Sequence, residues 1–225
     1  MGGFLEVLDD IDCMALYWQG RKMDFLVPAS TEFTDCINPM PDCADGFSPA
    51  RTVMLNTCFT EWALFERPLA KGRTPLELFV EQRPVARPKK SWKRLRQVAE
   101  TQFFSRFAIA GKHRKSGICT LEDMCTGSRY EVFDECLSSI DRWRDGTIGM
   151  RIACVDGEWL TVGHVHLYDV ATPEATREDG PGAIHPEERD SLPPLMLESF
   201  YLRLVHDTMG ADGRYAATAH IRDVA

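Results

Sequence analysis

The sequence predicts an α+β protein: a helical N-terminal half packed on a small antiparallel β-barrel and closed by a C-terminal helix. Two observations predict it. From Phe104 to Asp169, short strand-like runs (FFSRFAIA, GICTLEDM, SRYEVFD, TIGMRIACV, EWLTVGHVHLYDV) are separated by Gly-bearing turns such as CTGS and VDGE, the spacing of a small barrel or half-barrel. Before Phe104 the apolar residues recur with a helical period, so the change of period marks a boundary. The chain divides accordingly into a helical domain (1–103), a barrel (104–170), an acidic Pro/Gly-rich loop (171–194) and a C-terminal helix with its tail (195–225).

Phe4, Leu5, Leu8, Ile11, Ala15 and Trp18 fall at helical spacing and predict an amphipathic opening helix. Residues 28–49 contain Pro28, Pro39, Pro41, Gly46 and Pro49 and read as loop. Ser48-Pro49 is an N-cap followed by proline at the first helical position. The helix behind it carries Leu55, Cys58, Phe59, Trp62 and Phe65 on one stripe and must stop near Pro68. Thr74-Pro75-Leu76-Glu77 has the spacing of a capping box. A further helix is predicted from Ser91 to about Phe103, with Trp92, Leu95, Val98, Ala99 and Phe103 inward.

Within the barrel, Arg129, Glu131 and Phe133 alternate with Tyr130 and Val132, as a half-buried strand requires. Asp156-Gly157 lies between two strand runs and signals a hairpin. Residues 171–194 read as a solvated loop, and a last helix from Leu195 to Met209 ends at Gly210.

The 225 residues, 44% hydrophobic and 27% charged, are ample for one sizeable core or two modest ones. No run reaches the roughly 18 apolar residues of a membrane-spanning helix. The acid-bearing opening, GFLEVLDDIDCMALYW, is no secretory signal. A cytoplasmic protein with no membrane partner is the expectation. The eight cysteines form no CxxC pair and read as reduced structural thiols, with Cys36 and Cys43 the pair best placed to oxidise.

Net charge is −8, yet the seven basic residues between Arg83 and Arg96 have no acid among them, leaving 19 basic against 34 acidic residues elsewhere. Such a patch is a contact for phosphate or for an acidic partner. A nucleic-acid interface would use Arg87, Lys89, Lys90, Lys93 and Arg94 against the backbone, with Trp143 and Trp159 stacking on the bases of a single strand. The competing assignment places Trp143 and Trp159 over the barrel core.

His164 and His166, at alternate positions, would put two rings on one strand face, where a zinc ion could bind with Cys154 or Asp169 as a further ligand. The alternative is two surface histidines beside a turn. No cofactor is otherwise indicated, since no G-x-S-x-G elbow, P-loop or G-x-G-x-x-G occurs. The adjacent carboxylates Glu122-Asp123 and Asp134-Glu135 are explained by turn and edge solubility.

One resemblance emerges from the order of the motifs between residues 59 and 163. Glu61, Trp62, Leu64, Phe65, Pro68, Gly72, Thr74, Pro75, Leu76, Glu77 and Phe79, then Asp123, Thr126, Gly127, Tyr130, Val132, Gly146, Arg151, Gly157 and Trp159 carry it. In that order they resemble a helical-plus-small-barrel region of uncharacterised bacterial proteins that often also carry a SEC-C zinc motif. The zinc motif itself is missing from this sequence, so zinc binding does not carry over. The resemblance implies a bacterial, cytosolic origin and no established reaction. The expectation is therefore a non-enzymatic binding or accessory module for a nucleic acid or a protein. A metal-dependent enzyme built on His164 and His166, or a structural subunit of a complex, are the alternatives.

Overall fold

The computed structural model describes residues 2–21, 25–141, 145–177, 179–215 and 220–223. Its helical half comprises α1 (Gly2–Gln19), α2 (Val27–Ile37), α3 (Pro49–Phe65), α4 (Pro75–Gln82) and α5 (Lys89–Thr101). Helix α1 buries Val7, Ile11, Met14 and Trp18, while Leu5 is 69% exposed. The inward face is thus rotated from the stripe expected of Leu5, Leu8 and Ala15, because Asp10 must also point inward to meet arginines of the following segments.

Helix α2 occupies part of the stretch expected to be loop. Pro28 sits in its first turn, where a missing N–H costs nothing. Ala29, Phe33 and Ile37, repeating every fourth residue, form its buried face, and left-handed Asn38 (φ 44°) closes it. Local signals elsewhere hold. Ser48 Oγ accepts from the Arg51 amide at 3.2 Å. In the capping box Thr74 Oγ1 accepts from the Glu77 amide at 3.3 Å and Glu77 Oε2 accepts from the Thr74 amide at 2.8 Å.

The sheet elements are β1 (Phe103–His113), β2 (Ile118–Asp123), β3 (Arg129–Phe133), β4 (Thr147–Val155), β5 (Glu158–Thr161), β6 (Val165–Asp169) and β7 (His220–Asp223), with the short helix α6 (Glu135–Ser139) after β3. Strands β1-β2-β3-β5-β4 close into a five-stranded barrel through β1–β4 pairing, and β6 and β7 extend from β4. The β3–β5 pair is parallel, so the barrel is mixed and not purely antiparallel as expected. A ring of five strands cannot alternate direction all the way round, and one parallel pair is the geometric remainder. Asp156 (φ 53°) and Gly157 (φ 88°) form the β4–β5 turn, the two left-handed residues a type I′ hairpin requires.

After β6 come α7 (Pro173–Thr176), α8 (Pro194–Glu198) and α9 (Phe200–Met209). The single C-terminal helix expected is broken at Ser199, whose Oγ accepts from the Leu202 amide at 3.2 Å and caps α9. The 171–194 loop is also more than a solvated linker. Arg106 donates to the carbonyls of Pro181 and Thr176, and Arg203 Nε donates to Gly182 O at 2.9 Å. Asp207 Oδ2 accepts from the Gly182 amide at 2.7 Å. Pro181 and Gly182 are consequently buried.

Two apolar clusters result. One fills the barrel around Phe107, Leu121, Val132 and Met150. The larger lies between the helices and the outer barrel wall, around Trp62, Phe79, Leu95, Leu160 and Tyr201. Arg151 crosses the seam, fully enclosed, beside Glu61, Glu66 and Gln102.

Candidate functional site

The basic segment is largely committed within the fold. Asp10 has no exposed surface. Its Oδ1 accepts from Arg87 Nη2 and Ser91 Oγ, each at 2.5 Å, and its Oδ2 from Arg94 Nε at 2.7 Å. Arg87 also reaches Asp9 at 2.8 Å and Arg94 reaches Glu6 at 2.6 Å. Lys93 pairs with Asp156 at 2.5 Å, but both side chains are mostly exposed, so that pair contributes little. Lys89 and Lys90 stand exposed at the start of α5. Trp159 is half-buried against the barrel core, edge-on to Tyr130 (4.8 Å) and Phe103 (6.0 Å); among the described residues its ring contacts do not include the basic segment. Trp143 lies outside the described residues.

His164 and His166 have different surroundings. His164 precedes β6 and is exposed, with Nε2 3.6 Å from Asp12 Oδ1. His166 lies in β6 and is buried, with Nε2 3.5 Å from Asp134 Oδ2. Glu61 Oε2 accepts the amides of both His164 and Val165 at 3.0 Å, which fixes the bend before β6 and takes His164 out of strand alternation. Asp134 caps α6 through the Leu137 amide (2.8 Å) and accepts from Thr161 Oγ1 (2.7 Å). Burial works to raise its carboxyl, but His166, Leu137 and Thr161 together hold it below the usual carboxylate value.

Neither proposed further ligand joins the histidines. The Cys154 amide bonds Thr101 Oγ1 and Asp169 accepts from the Ala171 amide. Among the described residues no three His, Cys, Asp or Glu side chains converge as metal ligands. All eight cysteines are free thiols, Cys36 and Cys43 included. Burial, assisted by Asp134, pushes the Cys119 thiol up to about 12. Burial and Asp35 raise Cys36.

Concave surface touches these residues only in part: Arg94 lines a small hollow of about 90 Å³, and His164 lines one wall of a larger one. Two hollows of about 590 and 420 Å³ adjoin where α1 passes α3, sharing Asp12, Ala15, Asn56, Thr60 and Leu64. The first has Trp18, Phe25 and Phe59 in its walls, and the second Ile11, Val53 and Phe65. Leu16 (67% exposed) and Val53 (50%) stand at the rims. The reason these hollows exist is local composition: α3 turns Asn56 and Thr60 toward α1, and short polar side chains cannot close an interhelical gap as Leu or Phe would.

A third pocket, of about 630 Å³, lies between the end of α2, α9 and the 183–193 loop. Along its wall Asn38 Nδ2 donates to Asp212 Oδ1 at 3.1 Å, and His206 Nε2 lies 3.2 Å from the same oxygen. Asp207 and then Asp212 hold the His206 imidazole above its ordinary value. Burial, with Asp207 and Glu187 nearby, raises the Glu188 carboxyl. Sequence reasoning missed this pocket, because its residues come from four separate stretches and match no motif. Asn56 and Thr60, four residues apart beside the apolar stripe of α3, are the sequence signal for the α1–α3 hollows.

Comparison with protein families, curated proteins and solved structures finds no match to this chain. No helix among the described residues is long and apolar enough to cross a membrane.

Proposed function

We propose that this chain is a non-enzymatic binding module that takes two apolar anchor side chains of a partner protein's helix into the hollows between α1 and α3. The observation that carries the reading is the pairing of apolar walls with exposed apolar rims: Leu16 and Val53 remain in water beside Trp18, Phe25 and Phe65. Contiguous exposed apolar surface of this kind marks interaction sites, and bulky anchors seated in pockets carry most of the energy of such interfaces. Spacing three or four residues apart on a helix would present both anchors together.

Charge defines the partner further. Asp12, its carboxylate mostly exposed, lines both hollows, and the whole chain carries −8. A helix with basic flanks suits this rim better than a second copy of the same acidic surface. The nucleic-acid alternative loses support because Arg87 and Arg94 are held by Asp10. Eight free thiols fit a reducing compartment such as the cytoplasm.

The test is site-specific photo-crosslinking in the native host, with a benzophenone amino acid at Leu16, at Val53 and at the control position Lys115. The reading expects one protein, basic in the crosslinked helix, from both rim positions and not from Lys115. Identical capture at all three positions, or none at the rims, overturns it.

A further inference from the structure

We infer that a small cavity on the outer face of the barrel, under α9 and the 176–182 strap, is a binding site for a chloride-sized monovalent anion held by Arg106 and Thr147. Strand register sets the site. Ala108 in β1 lies opposite Thr147 in β4, and Arg106 lies two positions away, opposite Gly149. On the other side of β4, Thr147 faces Asp169 and Gly149 faces Leu167 of β6. Opposed and alternate residues share a face, so Arg106, Thr147, Leu167 and Asp169 point away from the barrel core around Phe107, Ile148 and Tyr168. Leu204 of α9 and Pro181 of the strap cover them and leave a cavity of about 10 Å³, room for one water-sized or monatomic occupant.

Two residues of this wall each keep a buried polar atom without a hydrogen-bond partner: Arg106 its Nε and Thr147 its Oγ1. Arg106 is 7% exposed and Thr147 0%. The other guanidinium nitrogens are engaged by the strap, Nη1 donating to Pro181 O at 3.1 Å and Nη2 to Thr176 O. Gly180 permits that close approach, since a Cβ there would collide with Arg106 Nη1. The remaining hydroxyls of the wall that bear on the cavity have partners: Thr208 Oγ1 donates to Leu204 O at 2.9 Å and Tyr168 Oη to Asp145 O at 2.5 Å. The two orphaned groups are both donors, an N–H and a rotatable O–H, and burying them unsatisfied is costly.

Charge selects an anion over water. Either would accept both bonds, but the contacts of Arg106 are two neutral carbonyls, and among the described residues no carboxylate pairs with it. Burial lowers the Arg106 pKa from the ordinary arginine value in spite of Cys125, Asp169, Tyr215 and Asp207 nearby. The guanidinium stays charged and is short of compensation. Water would satisfy the donors and leave that charge as it is; a halide does both. Asp169 narrows the choice further. Its Oδ1 accepts from the Ala171 amide at 2.9 Å, and its carboxylate in the same wall opposes a dianion. Phosphate and sulfate are also too large for the space. An anion here fixes Arg106 and, through it, the two strap carbonyls.

The test is thermal unfolding of the full chain in sodium chloride, sodium bromide and sodium gluconate at equal ionic strength, with chlorine NMR line broadening as the direct readout of binding. Chloride and bromide are expected to raise the unfolding midpoint saturably, and bromide to remove the chloride broadening. Thr147→Val keeps the branched shape and removes one donor. It should weaken chloride about tenfold, the size of one charge-assisted hydrogen bond, while unfolding in gluconate no lower than wild type. Asp169→Asn keeps an acceptor for the Ala171 amide and removes the like charge, so it should tighten chloride binding. Equal midpoints in chloride and gluconate, or no excess broadening, overturn the inference; both are the result expected of a water-filled cavity. A chloride response unchanged in both variants also overturns it, since that marks an adventitious ion only.

Discussion

Glu61 and Arg151 form an ion pair that is almost wholly enclosed, with Arg151 Nε donating to Glu61 Oε1 at 3.0 Å. Glu61 Oε2 meanwhile receives two backbone amides from the turn before β6. Arg151 also donates to Gln102 and to Glu66 Oε1, and its guanidinium lies 4.9 Å from the Phe65 ring centre. Burial alone would favour the neutral guanidine, but Glu66 and Glu61 outweigh it and keep Arg151 charged.

Removing one partner should therefore be costly. Glu61→Ala takes one of two carboxylates from a buried cation and leaves two amides without their acceptor, and a loss of about 3–5 kcal/mol is expected in denaturant unfolding. A shift below 1 kcal/mol would mean that water reaches the pair.

Asp10 predicts a division within the basic segment. Arg87→Ala and Arg94→Ala should lower unfolding midpoints, because each leaves a buried carboxylate short of a partner. Lys89→Ala and Lys90→Ala should leave stability within about 0.5 kcal/mol of wild type. Where a single-stranded oligonucleotide is retained at low salt, each of these lysine changes should reduce the salt slope by about 1. The measurements are urea titration and fluorescence anisotropy across a salt series.

Two groups contribute to the pH dependence of stability in opposite senses. His206 is raised in the fold, so its contribution is complete below the ordinary histidine value of 6.5 and is lost as pH rises through the higher folded value. Asp134 is lowered, so its contribution is present above the ordinary aspartate value of 3.8 and is lost as pH falls through the lower folded value. Urea midpoints of His206→Gln should be flatter than wild type as pH rises above 6.5. Those of Asp134→Asn should be flatter in the acid range.

Gly146 adopts φ 93°, and a Cβ there would collide with the carbonyl of Asp169. Gly146→Ala should cost about 2–3 kcal/mol by thermal or chemical unfolding, since strain and backbone contact both oppose it.

Thiol labelling reads the packing directly. Cys43 and Cys125 are exposed and should react with Ellman's reagent in the native protein. Cys58 and Cys119 are buried and should react only on unfolding.

Much of the fold is local chemistry and was legible residue by residue. Ser48 and Thr74 announce helix starts through side chains that bond amides three residues on, and Asp156-Gly157 announces a turn through backbone preference alone. Helix α2 was obscured because Pro28 reads as a breaker, although its position in the first turn makes it harmless. The parallel β3–β5 pair follows from closing an odd ring, which no single strand reveals. The partners of Arg87 and Arg94 were hidden for a different reason: Asp10 lies 77 and 84 positions away. The His164/His166 spacing is that of strand alternation, and the grip of Glu61 on the amides of His164 and Val165 decides otherwise.

The same long separations bear on how the chain is made. Glu61 leaves the ribosome 90 residues ahead of Arg151, an interval of roughly 5–18 s at ordinary synthesis rates. During that interval the helical half holds a carboxylate destined for the interior with no cation to receive it. The nascent helices must keep that seam hydrated and open until β4 emerges, so the barrel, though second in sequence, sets the moment at which the first half can finish folding.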